Sequence, residues 1–274
     1  MTGTLILCGS PIGNLSDAPP RLGEALSTAD IVYAEDTRRV AVLLDHLGVS
    51  VPTRSLFVGN EASRSKEIAE RLSTGETVAV VTDAGTPGIS DPGASAVRAA
   101  IGAGATITGV PGPSAVTLAL ALSGFDADRF VFEGFLPRKG RERRERIEAL
   151  RTDRRTAVLF CSPRRIGADL SDLAAAGLGD RGVVVARELT KLHEELWRGT
   201  LAEAADHWSD GARGEVTVVV DGGEPDPASL DDAVARVKER VEGGSSFTDA
   251  VREVATETGL SRRVLYEAAL QDSS

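Results

Sequence analysis

Residues 77–101 read TVAVVTDAGTPGISDPGASAVRAAI, and three textures follow one another within them. Thr77–Thr82 is short, apolar and rich in β-branched residues, the pattern of a buried strand. Asp83–Gly93 is built from Gly, Pro and small polar residues, which makes a tight and stiff loop. Ala94–Ile101 returns to an apolar helical pattern. Strand, loop and helix in that order form the repeating unit of a parallel α/β sheet, in which ligands sit beyond the carboxyl ends of the strands.

The same unit recurs on either side. Thr4–Cys8, Ile31–Ala34, Ser55–Val58 and Thr106–Gly109 read as further strands, with helical patterns at Arg21–Ser27, Val40–Leu47 and Ser65–Leu72. Pro113 opens another helix, Ser114–Leu122, where its missing N–H does no harm. A second α/β unit begins with Phe130–Phe135 and continues through Ala157–Cys161, Gly182–Ala186, Glu194–Trp197 and Glu215–Val220, with helices at Ile166–Ala175 and Leu201–Trp208. GGEPDPA at 222–228 reads as a linker. Three helical patterns follow it, Leu230–Val241, Phe247–Glu257 and Ser261–Leu270. The expected organisation is a two-domain α/β fold, 1–124 and 125–224, with a cleft between the domains and a small helical appendage over 225–274.

Four loops at predicted strand ends share the texture of 83–93: Gly9–Leu15, Glu35–Arg38, Asp83–Gly93 itself and Val110–Ala115. One such loop is an ordinary turn; four on one sheet edge point to a ligand site. The ligand is not read from a phosphate loop, because no Gly-x-x-x-x-Gly-Lys-Ser/Thr occurs, and no Gly-x-Gly-x-x-Gly follows the first strand. Asp83–Gly88 superficially resembles a Rossmann-type glycine loop but lies after three βα units, and Pro87 and Pro92 fit poorly in a glycine turn leading straight into a helix.

Composition narrows the class further. No run of about 18 apolar residues exists to span a membrane, and the first residues have no basic lead, so a cytoplasmic protein is expected. Two cysteines, Cys8 and Cys161, each at a strand end, suit a reducing compartment. The three histidines do not combine with them at metal-ligand spacing, so no metal is expected. The net charge of −10 disfavours nucleic acid on average. It hides a basic stretch, Arg138, Lys139, Arg141, Arg143, Arg144 and Arg146, followed by Arg151, Arg154, Arg155, Arg164 and Arg165. Glu142, Glu145 and Glu148 are spaced to pair with these on a helix face, and both readings stay open at this point.

In order along the chain, GSPIGNL, AEDTR, VTDAGTPGISDPG, VPGPSA, FEGFLPRKGRER, ARELTKLHEE and RGEV resemble the motif series of the tetrapyrrole methylase superfamily, over roughly residues 3–222. Within it the series is similar to the branch that methylates a ribose 2′-hydroxyl in small-subunit ribosomal RNA. The resemblance implies S-adenosylmethionine in the inter-domain cleft, a homodimer, and a cytidine of the 16S decoding region as substrate. Carried over by motif, Pro11, Asp83, Ala84, Gly85, Thr86, Ser114 and Ala115 bind the donor from the first domain, and Cys161, Ser162, Glu188, Gly214 and Glu215 from the second. Where the branch reads Glu-Ser-Pro-His-Arg, this chain has Cys161-Ser162-Pro163-Arg164-Arg165.

Methyl transfer from a sulfonium is an in-line displacement, so alignment is the main requirement. A ribose hydroxyl is a poor nucleophile and gains from a proton acceptor or a cation near the oxygen. Glu188 is the expected acceptor and Lys191 the expected cation, with Glu35 and Asp36 as further catalytic candidates; an interdomain salt-bridge network and a helix cap at Asp36 are the structural alternatives. Arg38, Arg138, Lys139 and Arg141 are expected to contact RNA. So are Arg262 and Arg263, which open the second helix of a helix-turn-helix-like tail. A tetrapyrrole C-methyltransferase and a non-catalytic RNA-binding assembly factor are the rival functions.

Overall fold

The computed structural model describes residues 2–223 and 227–272, so the linker expected over 222–228 lies partly outside the described residues. The chain divides into two compact units, Met1–Arg151 with Arg155–Asp221, and Thr152–Arg154 with Gly222–Ser274.

The first unit holds two five-stranded sheets. Strands β1 (Thr4–Cys8), β2 (Ile31–Ala34), β3 (Thr53–Ser55), β4 (Thr77–Val81) and β5 (Thr106–Val110) form the first, in the order β3-β2-β4-β1-β5. Every pairing in it is parallel. A parallel sheet covered on both faces needs strands apolar on both sides, and β1 shows the alternation. Leu5 points into a core with Ile68 and Leu72 of α3 (Glu61–Ser73) and Ala96 and Ala100 of α4 (Ala94–Gly102). Ile6 and Cys8 point the opposite way, toward Leu22 and Leu26 of α1 (Pro20–Ser27) and Leu43 and Leu44 of α2 (Thr37–Leu47).

The second sheet runs β6-β7-β10-β8-β9, from β6 (Phe130–Phe135), β7 (Thr156–Cys161), β8 (Gly182–Arg187), β9 (Glu195–Thr200) and β10 (Val216–Val220). It is mixed: β6 and β7 are parallel, and β10 is antiparallel to both of its neighbours. One face packs on α6 (Arg141–Thr152), α7 (Ile166–Leu173) and α8 (Leu201–His207). The other face receives α5 (Ala115–Ser123), whose Val116, Ala119 and Leu120 pack against Val158, Val184 and Val219. Helix α5 thus follows a strand of one sheet and packs on the next, which explains its all-round small, apolar composition.

One strand differs from expectation. The β-rich run Ser55–Val58 is strand only to Ser55; Leu56 is buried, whereas Phe57 and Val58 are exposed. Asn60 accounts for the early stop. Its Oδ1 accepts the Phe57 N–H at 2.8 Å and its Nδ2 donates to the Ser55 carbonyl at 3.1 Å, folding the chain into a turn, as side-chain amides do when they compete with a ladder.

The second unit contains α9 (Pro227–Glu242), α10 (Phe247–Thr258) and α11 (Arg262–Gln271) around its own core of Ala233, Val237, Val251, Val254 and Leu265. Ser246 caps α10 by accepting the Asp249 N–H, and Gly259 ends it in the left-handed conformation, so the expected helix, glycine turn and second helix are all present. No helix among the described residues is long and apolar enough to cross a membrane.

Candidate active site

Close backbone approach builds the site. A Cβ on Gly9 would lie 2.6 Å from the Gly112 nitrogen, and one on Gly112 would lie 2.6 Å from the Gly9 carbonyl carbon. Only glycine at both positions lets the loops after β1 and β5 touch. The loop after β4 is tied to the same place. Ser10 and Gly85 exchange N–H···O bonds of 2.8 and 3.2 Å, and the Ser10 hydroxyl donates to the Thr82 carbonyl.

These loops and the edge of the second sheet enclose a cavity of about 480 Å³, a size suited to a nucleoside-sized ligand. Its walls are apolar at Ile12, Val116, Phe160 and Leu189, and Ser114, Ser162 and Thr217 add hydroxyl groups. Of the donor-binding residues expected from the sequence, Ala84, Gly85, Thr86, Ser114, Ala115, Cys161, Ser162, Gly214 and Glu215 line it. Pro11, Asp83 and Glu188 do not. Asp83 lies a layer behind, where its carboxylate accepts the Asp36 N–H at 3.1 Å and pairs with Arg39 at 3.2 Å. Cys161, at the position where the branch carries Glu, is buried, and burial pushes its thiol far above the ordinary value.

Glu188 and Lys191 belong to a bridge at the cavity edge. The Lys191 ammonium donates to Glu188 Oε1 at 2.7 Å and to Glu215 Oε2 at 2.9 Å, and Glu188 Oε1 also accepts the Glu215 N–H at 2.9 Å. The Lys191 hydrogen bond, then the backbone N–H, hold the Glu188 carboxyl below its ordinary value. Burial pulls Lys191 down, but its two carboxylate partners outweigh this and keep it raised. A carboxylate so engaged is a weak proton acceptor, so the geometry gives Glu188 the task of holding Lys191 and Glu215. Glu35 and Asp36 also stand outside the cavity lining. Asp36 caps α2 and is bound by both the backbone and the guanidinium of Arg38, which holds its carboxyl far below the usual range. Burial, and then the charge of Asp83, push Glu35 up.

Asp91 lines the cavity and was not among the residues singled out from sequence. Burial, then the charges of Glu35, Asp83 and Glu215, raise it to about 6. It lay in the quoted loop, but sequence carries no signal for which of several loop carboxylates is left without a partner.

Much of the basic stretch is engaged in ion pairs. Arg141 pairs with Glu145, Arg143 with Asp169 and Asp172, Arg146 with Glu133, and Arg151 with Glu148. Arg138, Lys139, Arg144 and Arg164 are exposed and have no ion-pair partner among the described residues. The Arg165 guanidinium donates to the Arg138 carbonyl, which fixes the 137–140 loop beside the Ser162–Pro163 wall of the cavity. Of the other expected RNA contacts, Arg38 is bound to Asp36. Arg262 and Arg263 are exposed in the first turn of α11, an end where the helix dipole disfavours cations.

The family model described as Tetrapyrrole (Corrin/Porphyrin) Methylases matches residues 4–205. Among solved structures, a diphthine synthase superposes with a TM-score of 0.63 at 19% identity, over 80% of this chain and 89% of that one, which shows the fold. A protein named ribosomal RNA small subunit methyltransferase I from Mycobacterium tuberculosis H37Rv is 49% identical over 98% of this chain and 95% of its own length. One of the same name from Thermotoga maritima is 45% identical over 81% of this chain and all of its own length. The chain belongs to the tetrapyrrole (corrin/porphyrin) methylases, on the branch that these small-subunit ribosomal RNA methyltransferases occupy.

Proposed function

We propose that the protein transfers a methyl group from S-adenosylmethionine to the ribose 2′-hydroxyl of a cytidine in 16S ribosomal RNA. The observation that carries this is the cavity together with the cations that stand near it. Its apolar walls with scattered hydroxyls and backbone groups suit a nucleoside thioether. Near the Ser162–Pro163 wall stand Arg138, Lys139 and Arg164, cations without an ion-pair partner among the described residues, of the kind that engage phosphates. The relatives' names supply the substrate, and the motif series supplies the 2′-oxygen of cytidine.

On this reading residues 1–124 carry the donor loops, 125–224 the facing wall and 225–274 an RNA-contacting appendage, and the chain works as a homodimer in the cytoplasm. Ala84, Gly85, Thr86, Ser114, Ala115, Ser162 and Gly214 hold the donor, while Lys191 orients Glu215 at the wall. Incubating purified protein with small subunits lacking the modification and with methyl-labelled donor, then digesting the RNA to nucleosides for mass spectrometry, tests it. Label is expected in 2′-O-methylcytidine. Label in a base, or methylation of a tetrapyrrole with none in RNA, overturns it.

A further inference from the structure

Three titratable side chains line the cavity: Cys161, Glu215 and Asp91. The Cys161 thiol is buried and held protonated by that burial. Glu215 is bound to the Lys191 ammonium at 2.9 Å. The Asp91 carboxylate has no hydrogen-bond or ion-pair partner among the described residues, although it is half-buried. Its charged surroundings are acidic from three directions. Glu35 follows β2, Asp83 precedes it in the same loop, and Glu215 precedes β10. The cations in this region are engaged elsewhere, Arg39 with Asp83 and Lys191 with Glu188 and Glu215.

The loop presents Asp91 rigidly. The Gly88 N–H donates to the Pro92 carbonyl at 3.2 Å, closing the turn across Asp91. Glu61 anchors the far end by accepting from the Gly93 N–H and the Ser95 hydroxyl. Ser90, immediately before Asp91, takes a φ of 62°, a conformation that non-glycine residues adopt at an energetic cost and that clusters at functional positions.

We propose that Asp91 is the catalytic base that accepts the proton of the attacking hydroxyl, an assignment that rests on the ribose-methylation reading above. The hydroxyl O–H bond breaks and its proton passes to an Asp91 oxygen. The new O–CH3 bond forms as the CH3–S bond breaks, with that electron pair left on sulfur. The products are the methyl ether, neutral S-adenosylhomocysteine and a protonated Asp91, which returns its proton to water. Three negative neighbours and partial burial make the carboxylate more basic than an ordinary one, while it stays largely ionised at neutral pH.

The test compares wild type with Asp91→Asn and Asp91→Glu. For Asp91→Asn, kcat on unmodified small subunits is expected to fall about 100- to 10,000-fold, with the S-adenosylmethionine Kd from calorimetry changed less than about threefold. Asp91→Glu should recover part of the lost rate. Wild-type kcat/KM should fall as pH drops through about 6, where Asp91 of the free enzyme becomes protonated, and Asp91→Asn should lack that limb. Loss of fold would not explain such a result. A carboxyl whose folded-state value is raised to about 6 contributes stability below its unfolded value that disappears as pH rises through the folded value. At pH 7.5 the Asn variant should therefore melt no lower than wild type. Asp91→Asn turnover within threefold of wild type, an acid limb that persists in it, or a rate loss matched by loss of donor affinity would overturn the assignment alone. A wild type that methylates no ribose hydroxyl takes down the functional reading and this assignment together.

Discussion

At the scale of single residues, the site depends on which charges are engaged and which are free. Glu188, Asp83 and Asp36 each face a basic side chain and a backbone N–H, so their carboxylates build the site's frame. Gly214 shows how tightly the frame is drawn. Its φ is 80°, and a Cβ there would lie 2.3 Å from the Glu188 carboxyl carbon. Gly214→Ala should push Glu188 off Lys191, costing about 1–3 kcal/mol of stability from strain and overpacking. Because Gly214 also lines the cavity, the variant should bind S-adenosylmethionine more weakly. Urea unfolding and calorimetry check the two effects; a variant with unchanged midpoint and unchanged Kd would contradict them.

At the scale of elements, most strand and helix positions were legible because burial on both faces imposes continuous apolar runs, and stiff loops announce themselves in Gly and Pro. The exception, Ser55–Val58, failed because a β-branched and aromatic composition marks a strand only while no side chain offers the backbone a competing turn, which Asn60 does. Helix α6 shows the other limit. Arg143 looks like a member of a basic surface, yet its guanidinium is buried. It pairs with Asp169 at 2.9 Å and Asp172 at 2.7 Å and donates to the Pro137 carbonyl. It therefore locks α6, α7 and the 137–140 loop together. Arg143→Ala should destabilise the protein by about 3 kcal/mol, the cost of leaving a buried carboxylate short of its partner, and chemical denaturation should show it as a lower midpoint. The equivalent change at exposed Arg144 should stay within about 0.5 kcal/mol.

At the scale of the whole molecule, the net charge of −10 conceals a local arrangement in which Asp91 and Glu215 line the cavity while Arg138, Lys139 and Arg164, without an ion-pair partner among the described residues, stand near its Ser162–Pro163 wall. The first unit carries both sheets and the whole cavity lining, and the second has a core of its own. The Thermotoga relative is matched over its full length by 81% of this chain, so members of this branch exist without a counterpart to part of it. A chain ending at residue 223 should therefore fold and bind S-adenosylmethionine within about threefold of the full protein. If Arg262 and Arg263 serve RNA, the same chain should bind small subunits less tightly, with a shallower dependence on salt. Calorimetry and filter binding at two salt concentrations check both; loss of donor binding would show the second unit to be part of the donor site.

The amino-acid sequence by itself determined the alternation of strands and helices, the four stiff loops and the family, because periodicity, Gly and Pro are local signals and long motif strings are specific. Tertiary structure decided the strand order, the passage of α5 onto the second sheet and the contact of Gly9 with Gly112. It also decided the sorting of charges into paired and free. Pairing is a matter of distances between residues remote in the chain: Lys191 meets Glu215 across 24 positions, and Arg143 meets Asp172 across 29. A linear pattern records which charges exist, and only folding decides which are neutralised and which, like Asp91, are left facing the cavity.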